Sequence, residues 1–275
     1  MSLKLRLYRT AFVAGSIVIF AGAVLSPAFA AEAVSLASHR AVYDLTLGAA
    51  KDGSGIEGVR GRIVLEIDNT CEGYILNQRM LIEVTNVRGG KIRSDYQLST
   101  FEDRSGSVMR FTLSNMINDR TIDKVDGTAQ KSESSGEVTF NDGKTEALPL
   151  PKGVLFPAEH SQAIITAAIE GKSLLSAKLY DGNGRDGLQD SLTVIGKKGT
   201  ATSEVILQSD MADMSYWPVQ LSFFDLKAQK GEPDYEVSFR MFENGVGSNL
   251  QLKYKDFSMI GKLVKLDLKK TAACN

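Results

Sequence analysis

Histidine and cysteine are both scarce in this chain of 275 residues, which contains two of each. His39 and His160 are too few for most histidine-based metal sites or catalytic triads, and neither G-x-S-x-G nor H-E-x-x-H occurs. The glycines at 182, 184 and 187 open no helix, so they do not form a dinucleotide fingerprint. We therefore predict no metal, no cofactor and no catalytic residue.

Long apolar runs and clusters of positive charge are also missing after the first thirty residues. No later run is long enough to span a bilayer, and no cysteine stands at residue 31 to carry a lipoprotein anchor. Without residues 1–30 the formal charge falls from −1 to −4, because that segment contains three basic and no acidic residues. The composition predicts no nucleic-acid partner and no stable membrane anchor.

The first thirty residues have the pattern of a cleaved signal peptide. Lys4, Arg6 and Arg9 form a basic start, an apolar run follows over 11–25, and 28–30 read A-F-A. A run of about fifteen apolar residues is short for a membrane span. We predict cleavage after Ala30 and a mature chain, residues 31–275, that works outside the cytoplasm as one domain.

Cys71 and Cys274 both lie in the mature chain. Two thiols in an oxidising compartment favour pairing, so a Cys71–Cys274 disulfide is predicted. The alternative, a reactive or metal-binding pair, has neither C-x-x-C spacing nor a neighbouring histidine.

Most of the mature chain alternates apolar and polar residues with period two, as in 41–47, 63–67, 217–223 and 235–241. Turn signals such as R-G-G at 88–90 and N-D-G at 141–143 separate these runs. The pattern predicts more than ten antiparallel strands. A closed or spiralling sheet would limit exposed edges.

One segment breaks this period. Pro157, Glu159 and Gly171 suit a helix start, its first turn and its C-terminal cap, so a buried helix is predicted over about 157–170. The preceding L-P-L-P at 148–151 is interpreted as a stiff link that cannot continue a strand ladder.

Candidate chemistry is sparse. Glu159, His160 and Ser161 have the residue types of a relay, but consecutive helical positions point about 100° apart. We expect His160 to pack against a strand or bond locally. The D-G-N-G-R-D-G segment at 181–187 departs from a calcium loop and is predicted to be a plain hairpin turn.

Aromatic residues cluster at Tyr216, Trp217, Phe223 and Phe224. Such residues in a strand are most often core, but a curved sheet with one helix commonly leaves a concave apolar face. Trp217, Phe223 and Phe224 are the predicted ligand-binding residues.

Six sequence blocks spread over nearly the whole mature chain match a known family. They are H-R-A-V-Y-D-L at 39–45, D-N-T-C-E-G-Y at 68–74, G-V-L-F-P-A-E-H at 153–160, W-P-V-Q-L-S-F-F at 217–224, P-D-Y-E-V-S-F at 233–239 and E-N-G-V at 243–246. Through these blocks the chain resembles the EipB-type periplasmic cell-envelope-integrity proteins of Gram-negative bacteria.

This resemblance implies an all-β fold with one central helix, a β-spiral or broken antiparallel barrel similar to lipoprotein-carrier folds. It also implies the Cys71–Cys274 disulfide, a periplasmic location, envelope integrity under stress and a partner with tetratricopeptide repeats. No catalytic residue carries over.

Three functional hypotheses follow. The first is a non-enzymatic periplasmic protein that binds a protein partner, lipid or lipopeptide on its curved sheet. The second is a periplasmic hydrolase of cell-wall or lipid substrates, suggested by compartment and Glu159-His160. The third is an outer-membrane barrel, which charges such as Asp44, Arg62 and Glu66 oppose on lipid-facing strands.

Overall fold

The computed structural model describes residues 34–200, 204–226, 231–271 and 273–274. The predicted signal peptide therefore lies outside the described residues. Residues 34–275 belong to one compact unit.

Fifteen antiparallel strands make up most of the described chain. The strands are β1 His39–Ala50, β2 Ile56–Asn69, β3 Gly73–Asn86, β4 Lys91–Asp103, β5 Val108–Ile117, β6 Arg120–Lys131, β7 Gly136–Phe140, β8 Leu148–Leu150, β9 Leu174–Tyr180, β10 Leu188–Ile195, β11 Gly199–Thr200, β12 Ser215–Asp225, β13 Tyr235–Phe242, β14 Gly247–Lys253 and β15 Phe257–Leu268. The helices are α1 Pro157–Ile169 and the short α2 Glu204–Leu207, and a 3-10 turn occupies Gly184–Gly187.

All the main strands belong to one sheet, and its order places the chain's first and last strands side by side in the middle. From one edge the order is β8-β7-β6-β5-β4-β3-β2-β1-β15-β14-β13-β12-β10-β9, with β11 paired to β12. The sheet is thus two meanders joined by the β1–β15 pair. Helix α1 connects the two edge strands, β8 and β9.

That connection forces the sheet to curl. Fourteen strands laid flat would place the edges about 60 Å apart at the usual strand spacing. Yet Leu155, five residues after β8 ends, pairs with Leu179 of β9: its N–H donates to the Lys178 carbonyl at 2.8 Å, and its carbonyl accepts from the Tyr180 N–H at 3.0 Å. Five residues span at most about 18 Å. The structure therefore confirms the predicted spiral, in which the two edges approach each other.

Helix α1 begins and ends within one residue of the prediction. Pro157 stands at the first helical position, and the Glu159 carboxylate accepts the Phe156 N–H at 3.3 Å. At the other end Gly171 has φ +74° and donates to Ala168, while the Lys172 N–H donates to the Ala167 carbonyl. This Schellman arrangement satisfies two carbonyls at the end of the helix.

The Pro-rich link was interpreted incorrectly. Leu148–Leu150 forms β8, with Pro149 opposite Glu137 of β7. Because β8 is an edge strand, a proline there need not remove a ladder hydrogen bond. Sequence alone does not reveal which strand stands at an edge.

Candidate ligand-binding site

The concave face of the sheet carries a row of apolar side chains on β12. Trp217, Val219, Leu221 and Phe223 are buried, while Pro218 and Gln220 between them are exposed. All four inward residues pack in one cluster with helix α1, including Ile164 and Ile165. Period-two alternation thus places this row inside the spiral.

Strand β13 extends the same face with aromatic and aliphatic residues. Phe223 stacks on Tyr235 with ring centroids 4.5 Å apart and an interplanar angle of 16°. Leu221 lies opposite Val237, and Val219 opposite Phe239. Tyr235, Val237 and Phe239 are half-buried although they pack against the central cluster. These three side chains point inward but are still partly exposed to solvent, so they border accessible space on the concave face.

The three predicted ligand-binding residues do not share a face. Phe224 is half-buried and lies opposite Asp190 of β10, one residue out of phase with Phe223 and Trp217. It belongs to the outer face with Tyr216, because successive side chains of a strand point to opposite sides. The structure therefore brings Trp217 and Phe223 to the site and leaves Phe224 outside it.

Trp217 and Phe223 also occupy different ends of the row. Six residues of strand separate them, which is about 20 Å. Trp217 forms part of a groove of about 710 Å³ beside the C-terminal end of α1, and the Lys198 ammonium lies 5.3 Å from its ring centroid. Phe223 faces the aromatic residues of β13 and beyond, where Tyr235 stacks with Tyr254 at 6.5 Å.

The residues behind the hydrolase hypothesis each contact a different partner. His160 Nε2 lies 3.0 Å from Ser191 Oγ on β10, and the two residues are 4% and 3% exposed. Burial lowers the pKa of His160 to about 4. Glu159 instead pairs with Lys131, and the Ser161 hydroxyl donates to the Pro157 carbonyl. The expectation that His160 packs against a strand is confirmed.

A buried carboxylate that sequence reasoning missed sits at the start of α1. Glu102 of β4 is 3% exposed, and both its oxygens lie 2.9 Å from the Ala158 N–H, which donates to them. Burial is the main cause that raises the pKa of Glu102 to about 7, while the helix N–H groups oppose the rise. Its signal in the sequence is an acidic residue at an inward position of an otherwise alternating strand.

The segment 181–187 forms the turn between β9 and β10, as predicted, and it also contacts strands β4 and β5 of the other meander. The Tyr96 hydroxyl of β4 donates to Asn183 Oδ1 at 3.3 Å, and a Cβ on Gly182 would lie 3.1 Å from Phe111. Burial raises the pKa of Asp181 to about 7. Among the described residues, no group of three or more His, Cys, Asp or Glu side chains could hold a metal ion.

Comparison with known proteins identifies the family. The family model described as EipB-like matches residues 30–270 of this chain. The chain belongs to the EipB-like family. A curated relative, the cell envelope integrity protein EipB of Brucella abortus (strain 2308), is 36% identical over an alignment of 253 residues that covers 90% of this chain and 89% of the relative.

A solved structure supports the same assignment for the EipB-like fold. The crystal structure of a beta-barrel-like protein of a domain of unknown function from Brucella abortus superposes with a TM-score of 0.81 at 34% identity, covering 86% of this chain and all of the other. The predicted fold class, mainly β with one principal helix, is confirmed.

Every residue of the concave row lies within the EipB-like match, whereas Cys274 lies four residues beyond it. The structure joins Cys274 to Cys71 in the predicted disulfide, with Cα atoms 5.5 Å apart. In the part of the chain that is described, no helix is both long and apolar enough to cross a membrane.

Proposed function

We propose that this protein is a non-enzymatic periplasmic protein that maintains envelope integrity under stress by binding an amphiphilic ligand on the concave face of its sheet. The observation that carries the proposal is the inward row on β12, continued by half-buried aromatic residues of β13. Concave, mainly apolar sites with a few polar groups are typical of small-molecule binding. Membership of the EipB-like family and the name of the Brucella relative support the envelope role.

The location rests on the first thirty residues and on the disulfide. A basic start, an apolar run and an A-x-A site favour export. A disulfide between strands β2–β3 and the C-terminal end suits an oxidising compartment.

A hydrolase is the weaker proposal, because the His160–Ser191 contact is enclosed beneath α1. If a folded Ser191→Ala variant fully restores envelope resistance, the Ser191 hydroxyl is not a required nucleophile and the hydrolase proposal fails. If the variant folds normally but does not restore resistance, the hydrolase proposal is supported.

Adjacent residues of β12 provide a matched test of the ligand-binding face. Phe223→Leu alters the concave face, and Phe224→Leu makes the same change on the outer face. Each variant would replace the wild type in a deletion strain, with secretion, circular dichroism and thermal melting measured alongside. We expect the Phe223 variant to lose envelope resistance and the Phe224 variant to keep it.

Native mass spectrometry of the periplasmic protein supplies the second measurement. A discrete extra mass that disappears on organic extraction, and that the Phe223 variant retains less well, supports an amphiphilic ligand. Equal resistance of the two variants together with a bare oxidised monomer would overturn the proposal. A co-purifying protein, such as one with tetratricopeptide repeats, would replace the ligand by a protein partner.

A further inference from the structure

The groove beside the C-terminal end of α1 combines an apolar floor with a basic rim. Trp217 and Ile195, each 5% exposed, line its base, and Ile169 of the last helical turn stands 60% exposed at its side. Its volume of about 710 Å³ lies in the range of small-molecule sites, roughly 300–1,000 Å³. That volume suits a head group with part of one chain.

Charge around the groove is unbalanced. Lys172, Lys197 and Lys198 line it against a single carboxylate, Glu243. Lys198 pairs with Glu243 at 2.8 Å, and Lys172 pairs with Glu170 at 2.6 Å. Lys197 is exposed and has no ion pair among the described residues. The rim therefore offers one uncompensated ammonium beside two others.

The end of the helix opposes an anion only weakly. The partial negative charge of a helix C-terminus disfavours a nearby anion, and this effect falls off within the last turn. Here Gly171 and Lys172 already donate to the carbonyls of Ala168 and Ala167. The unpaired Lys197 ammonium therefore faces only the remaining field of the helix, with the ion-paired Lys172 and Lys198 beside it.

We propose that this groove binds a single-chain anionic phospholipid, with its phosphate against Lys197 and the first part of its acyl chain against Trp217 and Ile169. The inference rests on the proposed function and adds to it the charge of the head group and the position of the polar end. The anionic head group is proposed because it complements the positive charge of the rim, and a single acyl chain is proposed because of the size of the groove.

Trp217 makes the groove directly observable, because it is the sole tryptophan of the chain. The experiment titrates the mature protein with lysophosphatidylglycerol or lysophosphatidylcholine of the same chain length, below micelle-forming concentration, and follows tryptophan emission. We expect a saturable change with the anionic lipid at a concentration about tenfold lower than with the zwitterionic lipid. Added salt should reduce this difference.

Two lysine variants separate a specific contact from general charge. Lys197→Gln should weaken binding of the anionic lipid about threefold to tenfold, the range expected for an ion pair at a partly enclosed surface. Lys51→Gln removes the same charge from the exposed turn after β1 and should leave binding unchanged. Both variants should match the wild type in emission and melting before lipid is added.

The outcomes distinguish this inference from the function on which it rests. Equal affinity for both lipids, unchanged by Lys197→Gln, would overturn the anionic head group but leave an amphiphile on the concave face. No saturable response to either lipid, while native mass spectrometry still shows an extractable mass, would overturn the groove alone. A response to heptaglutamate without a response to lipid would assign the groove to an acidic peptide and overturn the proposal.

Discussion

Removing the disulfide should destabilise the protein without changing its fold. Cys71 and Cys274 are both exposed, so replacing them by serine deletes little buried surface. The loop they close spans 203 residues. On the loop-entropy relation, a loop of this length contributes about 5 kcal/mol by restricting the unfolded chain. The native strands remain paired, because β15 still lies beside β1 and β1 beside β2.

The expected result is a lower melting temperature with an unchanged circular dichroism spectrum. An unfolding entropy of about 2.1 cal/mol/K per residue gives about 0.5 kcal/mol/K for a domain of this size, so about 5 kcal/mol corresponds to about 10 °C. The measurement compares the oxidised wild type, the reduced wild type and the Cys71→Ser/Cys274→Ser variant in thermal melts and urea titrations.

Reductant supplies the control. The serine variant should melt at the same temperature with and without reductant, and the reduced wild type should match it. A serine variant that melts within 2 °C of the oxidised protein would refute the reasoning, since the cross-link would then add nothing beyond the existing strand pairing. Loss of the β-sheet circular dichroism spectrum at room temperature would also refute the reasoning, because the strands would then need the disulfide to stay folded.

Three further predictions concern the interior. Because the pKa of Glu102 is raised to about 7 from 4.5, the folded protein holds a proton on this side chain that the unfolded chain releases between these values, so the contribution of Glu102 to stability falls as pH rises from 4.5 to 7. Glu102→Gln removes this contribution, and the urea midpoint of the variant should rise relative to that of the wild type over this window; parallel profiles would contradict the prediction. Gly127→Ala places a Cβ 2.5 Å from a neighbouring backbone oxygen and should lower the free energy of unfolding in urea by about 1–3 kcal/mol. Gly58→Ala is the control, because its Cβ meets nothing within 4 Å, and it should change the free energy of unfolding little. Equal effects of the two substitutions would show that the strands adjust freely. Ser191→Ala leaves the buried His160 Nε2 without its partner and should cost about 1–3 kcal/mol in thermal melts; a variant as stable as the wild type would mean that the contact is neutral.

The local sequence pattern predicted much of the fold. Alternation predicted which residues of β12 face inward, and Pro157 with Gly171 bounded α1 to within one residue. The aromatic cluster was interpreted from residue type alone, so Phe224 was included although its position next to Phe223 already placed the two side chains on opposite faces of the strand. Applying the alternation to that cluster would have excluded it.

The remaining features depend on contacts distant in sequence. Glu102 meets Ala158 across 56 positions, and the 181–187 turn meets Tyr96 across 87. Only the closed arrangement of the two meanders places these groups together. The groove at Trp217 likewise forms where the end of α1, the β10–β11 segment and β12 meet. Hydrophobic periodicity in the sequence cannot predict that these three segments come together.

The pairing of β1 with β15 has a consequence for folding. Strands β1 to β8 can form hairpins with their immediate neighbours in sequence before β15 joins the sheet. One edge of β1 stays unpaired until β15 joins it. An unpaired strand edge can pair with a strand of another molecule, which favours aggregation. Pairing of both edges of β1 therefore depends on residues 257–268, which are far from β1 in sequence, so a variant that lacks β15 should leave an open edge in the middle of the sheet.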